Sequence, residues 1–448
     1  MCVRLRNGLP NVAKDSTREP MIKLIDSFKN KNFVRLWLAQ IVSQFGDRIN
    51  QMALIGLIAA RTPGSTMGLA KLLSFTIAPV FIVGPVAGAF VDRWDRRHTL
   101  FFCDILRCLL ILTIPLIFIY QDAMLPIYVV VFLVFCLSRF YVPAKMSIIP
   151  DLVEKKSLLV ANSLVSVTGM IAFVLGCAFG GVLVDKIGAR GGFIWDAATF
   201  FISALLVFSM DQRMDVRVDR NELLSAGKEI IGNIRKSLWV EIKEGIVYFF
   251  SHKEIRFVNG MLFMLFAAAG AVYVVIIIFI QEAFQSVTKH LGFLAVSLGV
   301  GLFVGALLYG RFGQKVSRFL TIFVCLILGG LSMAGFAHLV HRFPQVWTAS
   351  ALAFLLGLII GPIFIAANTI VHQVSKDEMR GRVFSSLEIV MHLGFLIAMF
   401  ISAFLSDKLH VPNARILITV GYVFAFVGFV GLVKFRKRLT RRSAEATA

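Results

Sequence analysis

Gln40, Ser43, Gln44, Asp47 and Gln51 recur at i, i+3, i+4, i+7 and i+11 within an otherwise apolar stretch. That spacing puts them on one face of a helix. A polar stripe bearing a carboxylate is costly against hydrocarbon, so it is expected to line an internal cavity. A carboxyl there answers to two opposed influences: burial favours its neutral form, and a nearby cation favours its charged form. Asp47 is therefore a candidate for taking up and releasing a proton. Arg48 sits beside it, off the stripe, as a competing partner or a second cavity cation. Arg139, inside a later apolar stretch, is the natural cationic partner. The alternative is a static buried pair that only fixes packing.

A second polar set lies far along the chain. Ser385, Glu388 and His392 follow i, i+3, i+7, and Asn368 and His372 follow i, i+4. Glu388 reads equally as a second proton site or as a gate ion pair with Arg380 or Arg382. His372 and His392 lack a third ligand, so no metal site is expected. Asp104 and Arg107, at i and i+3, read as a local ion pair. Cys2, Cys103, Cys108, Cys136, Cys177 and Cys325 form no CxxC pair, and five lie in apolar stretches as structural thiols. No paired catalytic constellation or cofactor loop is visible, so neither an enzyme nor a cofactor is expected.

The elements that must position these groups follow from composition. Hydrophobic residues make up 58% of the 448-residue chain and charged residues 16%, which excludes an ordinary soluble domain. A bilayer core needs about 20 apolar residues per helix. Segments meeting this run over roughly 33–60, 69–91, 99–120, 126–144, 157–184 and 192–210. Six more cover 256–284, 291–312, 318–339, 346–374, 381–405 and 414–434. The expected fold is an all-α membrane protein of twelve transmembrane helices in two six-helix pseudo-symmetric bundles. Its parts are a cytoplasmic tail (1–32), an N-terminal bundle (33–210), a cytoplasmic linker (211–255), a C-terminal bundle (256–434) and a basic tail (435–448). In the linker, Leu223, Ile230, Ile231, Ile234, Leu238, Ile242, Ile246 and Phe249 have the spacing of an amphipathic helix lying on the membrane.

The formal charge of +20 would suggest nucleic acid in a soluble chain. Here its distribution assigns it another purpose. With both termini cytoplasmic, thirty-four of the 46 Lys and Arg residues fall on the cytoplasmic side and seven on the other, as membrane orientation requires. No nucleic-acid partner is expected. The first 32 residues have no apolar core of a signal peptide, and Met21 is an alternative start.

The ends of the second and eighth segments repeat. Gly84 and Gly88 match Gly301 and Gly305 at a spacing of 217 residues, while Tyr309 stands where the first copy has Asp92. Two like-oriented six-helix halves are a transporter pattern. The run from Gly88 through Asp92, Arg93, Arg96 and Arg97 resembles the loop signature between helices two and three of the major facilitator superfamily. Gln44–Asp47, Asp92–Arg97, Arg139–Ala144, Pro150–Val153, Ala161-Asn162 and Asp196–Phe201 resemble its drug:proton antiporter branch, which includes macrolide efflux proteins.

That resemblance implies helices one and four facing each other, which would bring Arg139 to Asp47. It implies that Asp92 latches the outward-open state against the eleventh helix, with Arg93, Arg96 and Arg97 paired to acids at neighbouring helix ends. Gly88 would let helices approach closely. Gly176, Gly180 and Gly181 resemble the fifth-helix antiporter motif without its proline, with Cys177 in its place, and together with Gly169 on the same helix would form a seam against the other half.

The function implied is proton-coupled export of an amphiphilic small molecule by alternating access. The site is a multi-pass inner membrane protein, acting as a monomer among membrane lipids. The alternative is a lysophospholipid transporter of the same superfamily, with Lys145 meeting a lipid phosphate. A receptor or scaffold is a third reading, against which the short tails argue.

Overall fold

The computed structural model describes residues 28, 30–91, 94–120, 123–154, 157–211, 253–313, 316–374 and 380–447. The expected linker helix, most of the N-terminal tail, and Asp92 and Arg93 lie outside them. Every regular element described is helical. They are α1 (Lys31–Arg61), α2 (Thr66–Ile82), α3 (Gly84–Val91), α4 (Arg96–Tyr120), α5 (Leu125–Leu152), α6 (Leu158–Phe208), α7 (Lys253–Phe284), α8 (Lys289–Phe312), α9 (Arg318–Arg342), α10 (Val346–Val374), α11 (Arg380–Asp407) and α12 (Asn413–Thr447).

Local chemistry sets several boundaries. Asn30 caps α1, its side-chain oxygen accepting from Asn32 N at 2.9 Å and Phe33 N at 3.2 Å. Ser65 caps α2 by accepting from Gly68 N at 2.9 Å. The turn before it needs Gly64 at φ 72°. The second expected span is interrupted at Val83, between α2 and α3. The fifth and sixth run on as the single 51-residue α6. Its only non-helical residue is Gly188 at φ 75°, ψ 172°, a conformation that side-chain-bearing residues rarely adopt.

Among the described residues, nine helices are long and apolar enough to cross a membrane. Two expected spans are not among them. α1 is helical throughout, but its polar stripe and five charged residues dilute its hydropathy. α2 is apolar but only 17 residues long. Large apolar side chains cover the outside of the helices, including Leu109, Leu116, Phe303, Phe404 and Phe426. In water such a surface would be a liability; in lipid it is the solvated face.

α6 packs most extensively on α1 and also touches α4 and α8. α8 pairs with α10, α9 with α12, and α7 with α11, while α2 also meets α11. Glycine permits the closest of these crossings. A Cβ on Gly301 or Gly305 of α8 would strike the carbonyls of Phe354 and Leu358 on α10. One on Gly361 of α10 would lie 2.5 Å from Leu302 O. The N-terminal counterparts behave differently. Cβ atoms on Gly84 and Gly88 would meet nothing within 4 Å among the described residues. The expectation that Gly88 admits a close helix approach is therefore corrected: no described helix backbone comes near enough to need it. The repeat conserves position but not packing.

The helix ends are tied by polar contacts. At one end Asn30 donates to Leu152 O at 2.7 Å and Arg35 pairs with Asp211 at 2.8 Å. At the other, Arg61 donates to Phe118 O at 2.6 Å, and Asp407 accepts four hydrogen bonds from Ser65, Thr66 and Met67.

Candidate transport site

The α1 stripe divides into two lines. Gln40, Gln44, Arg48 and Gln51 follow one. Gln40 is buried and its Nε2 donates to Val165 O of α6 at 3.0 Å. Arg48 Nη1 donates to Gln51 Oε1 at 3.0 Å, and its guanidinium lies 4.6 Å from the centre of the Phe173 ring. Gln51 Nε2 in turn donates to the Tyr273 hydroxyl of α7 at 2.5 Å. Arg48 thus belongs to the stripe it was expected to stand beside.

Ser43 and Asp47 follow the second line, towards α4 and α5. The cations whose charge acts on Asp47 include Arg107, Arg48 and Lys145. Arg107, which the sequence did not offer to Asp47, is thus among the cations that act on it. Arg139 lies on α5 six residues before Lys145, which is about 120° around the helix from it. It is partly exposed there.

Arg107 and Asp104 form the ion pair their spacing predicts, and both are buried. Ser203 Oγ donates to the other Asp104 oxygen at 2.6 Å. The Arg107 guanidinium is sandwiched between the rings of Tyr141 at 4.4 Å and Phe200 at 4.3 Å. Asp196 of α6 is also fully buried. Its charge acts on Asp47 and Arg107. α4, α5 and α6 thus surround Asp47 with two further carboxylates and two cations. Sequence reasoning treated Asp104 and Arg107 as local, and Asp196 only as part of a motif. Their joint placement follows from how α1 packs on α6: a Cβ on Gly46 would sit 2.6 Å from Asp196 Oδ1. No spacing rule links residues 47, 107 and 196.

Next to this cluster is a cavity of about 600 Å³ between α1, α5, α6, α8 and α10. Gln40, Gln44, Lys145 and Ser166 supply its polar side chains, with Met146, Met170, Phe173 and Phe303 in its apolar wall.

The fifth-helix glycines divide too. Cβ atoms on Gly169, Gly176 and Gly180 would press on Gln44, Arg48 and Ile49 of α1, while Gly181 meets Thr288 O before α8 at 2.7 Å. The seam expected against the other half is therefore mainly one with α1. Three glycines at i, i+7 and i+11 share a face, and Gly181 is turned about 100° from Gly180.

In the signature loop, Arg96 pairs with Asp151 and donates to Ser147 O at 3.0 Å. Arg97 donates to the terminal carbonyls of α6, Val207 O at 3.1 Å and Phe208 O. A cation belongs at a helix C-terminus. His392 of α11 lies between the rings of Phe81 and Phe266, at 6.5 and 6.3 Å. The side chains of Asn368, His372 and Glu388 lie outside the described residues. No group able to hold a metal occurs among those described.

A helical chain with an apolar exterior, a buried charge cluster and a cavity between helices defines a membrane transporter of the major facilitator type, not an enzyme. The chain belongs to the family described as transmembrane secretion effectors, whose family model matches residues 24–444. It is 26% identical over 368 residues to the uncharacterized MFS-type transporter YkuC of Bacillus subtilis (strain 168), covering 80% of this chain and 82% of that one. It is 24% identical over 397 residues to macrolide efflux protein A of Streptococcus pyogenes, covering 85% and 91%. Among solved structures, a bacterial homologue of the iron transporter ferroportin in an inward-facing state superposes with TM-score 0.66 at 13% identity, covering 91% and 98%. A peptide transporter bound to alafosfalin also gives 0.66, at 14% identity, covering 91% and 95%. At those identities the likeness is one of fold.

Proposed function

We propose that this chain is a twelve-pass, proton-coupled exporter of an amphiphilic small molecule, with both termini in the cytoplasm. α6 crosses the membrane twice, turning at Gly188, and α2 with α3 makes one crossing. The halves meet along α6–α8 and α2–α11, as alternating access requires. The observation that carries the reading is the position of Asp47. It lies among Asp104, Arg107, Lys145 and Asp196, three residues from Gln44 on the cavity wall. A carboxylate poised between burial and cations can change protonation when the cavity changes sides. Macrolide efflux protein A supports the export direction by its name alone.

The test is efflux of amphiphilic compounds from cells that do or do not carry the protein, with and without a protonophore. Export that collapses with the protonophore and with Asp47→Asn supports the reading. Export indifferent to both overturns proton coupling. The lysophospholipid reading is the second one, favoured by Lys145 on the cavity wall. Lysolipid movement in proteoliposomes that ignores a proton gradient would select it.

A further inference from the structure

We propose that the cavity between α1, α5, α6, α8 and α10 binds single-chain amphiphiles through an anionic head held at Lys145, and rejects amphiphiles with cationic heads. The inference rests on the reading of this cavity as the substrate's, but not on proton coupling.

Lys145 is only 8% exposed, yet makes no hydrogen bond or ion pair among the described residues. Its ammonium has three donors to satisfy, and donors left unmet at this depth are expensive. It lies on the cavity wall, so a ligand is the partner it can take. Asp47 acts on it by charge but does not line the cavity. Among the described residues no carboxylate lines it, and none of them would hold a cationic head. Such a head would meet Lys145 as a like charge in a medium that screens poorly. Arg48, stacked on the Phe173 ring of the same wall, adds to the positive field. On the same wall, the buried Gln40 amide oxygen has no hydrogen-bond partner among the described residues.

The rest of the site suits a chain. Met146, Met170, Phe173 and Phe303 line the cavity and are 43% to 54% exposed. An alkyl tail can lie along these thioether and ring surfaces, which adapt to its shape. A volume of about 600 Å³ is within the usual range for small-ligand pockets.

The test is equilibrium binding to the full chain purified in a neutral maltoside detergent. The probes are dodecyl phosphate, a lysophosphatidylglycerol and dodecyltrimethylammonium. Both anionic probes are expected to saturate a site that the cationic one does not occupy. Tighter binding of the lysolipid assigns the head to a lipid source, and tighter dodecyl phosphate to a free anionic amphiphile. Lys145→Gln should weaken the anionic probes about tenfold or more, and Lys145→Arg should retain them. Equal binding of cationic and anionic probes to the unmodified protein overturns the proposal, whatever the variants do. So does a monodisperse Lys145→Gln that binds dodecyl phosphate unchanged. Intact anion binding together with proton-independent transport would instead sink the coupling reading alone.

Discussion

Asp407, the last residue of α11, accepts the main-chain N–H of Thr66, the first residue of α2, at 3.0 Å. Ser65 Oγ adds a bond at 2.6 Å and Met67 N another at 3.0 Å to the second carboxylate oxygen. The end of one helix thus caps the start of another 341 residues away. A carboxylate at a helix N-terminus is favourable both as hydrogen-bond acceptor and as charge. α2 and α11 belong to different halves of the proposed transporter, so the contact closes the end opposite the signature loop. Asp407→Ala is expected to cost about 1 kcal/mol and to loosen this end. Ala403, fully buried and accepting from Thr66 Oγ1, reports it. A cysteine at Ala403 should react slowly with maleimide in an otherwise cysteine-free background, and faster when Asp407 is replaced. Unchanged labelling would refute a closing role.

The Asp104–Arg107 pair gives a prediction about stability. Removing one partner leaves the other buried and uncompensated, at roughly 3–5 kcal/mol. Asp104→Asn and Arg107→Gln should each lower the unfolding temperature sharply. The double variant should be less damaged than the two losses summed, because no bare charge remains. Thermal unfolding followed by size-exclusion recovery measures this. Simple additivity would mean that the pair is not the unit that matters.

The unequal glycine repeat gives a third. Gly305→Ala drives a Cβ into the Leu358 backbone, an overpacking cost of about 1–3 kcal/mol. Gly88→Ala meets open space among the described residues, and should be neutral or slightly stabilising. Comparing the unfolding temperatures of the two variants tests the asymmetry, and equal losses would contradict it.

The link between Gln51 and Tyr273 gives a fourth. Tyr273→Phe removes the hydroxyl that Gln51 reaches from α1 to α7. It frees the Gln51 amide and, through it, the Arg48 guanidinium. We expect a loss of roughly 1 kcal/mol in stability and altered transport. Gln51→Leu should reproduce the transport effect. Transport measured in both variants checks whether this cross-half contact contributes to the cycle.

Several features were legible in the residues themselves. The helical class, the apolar segments and the α1 stripe depend on composition and on a 3.6-residue period, which are local properties. The Asp104–Arg107 pair was legible for the same reason, since i and i+3 always meet on a helix. The polarity of α1 was legible too, though not that it would leave this helix outside the set that composition alone marks as spanning.

Tertiary packing decided the rest. The cations acting on Asp47 were set by which helices faced it, and α4 brought Arg107 among them. Asp196 joined the cluster because Gly46 lets α1 press onto α6. Gly84 and Gly88 share a pattern with Gly301 and Gly305, yet among the described residues only the latter pair has a helix against it. Lys145 was offered from the sequence as a lipid-phosphate contact, but which helices would wall the cavity around it was not legible there. The sequence alone determined which segments are helical and apolar, because each is a sum over neighbours along the chain. Which charges meet depends on rotations and close approaches between helices far apart in sequence, and only the folded structure could decide that.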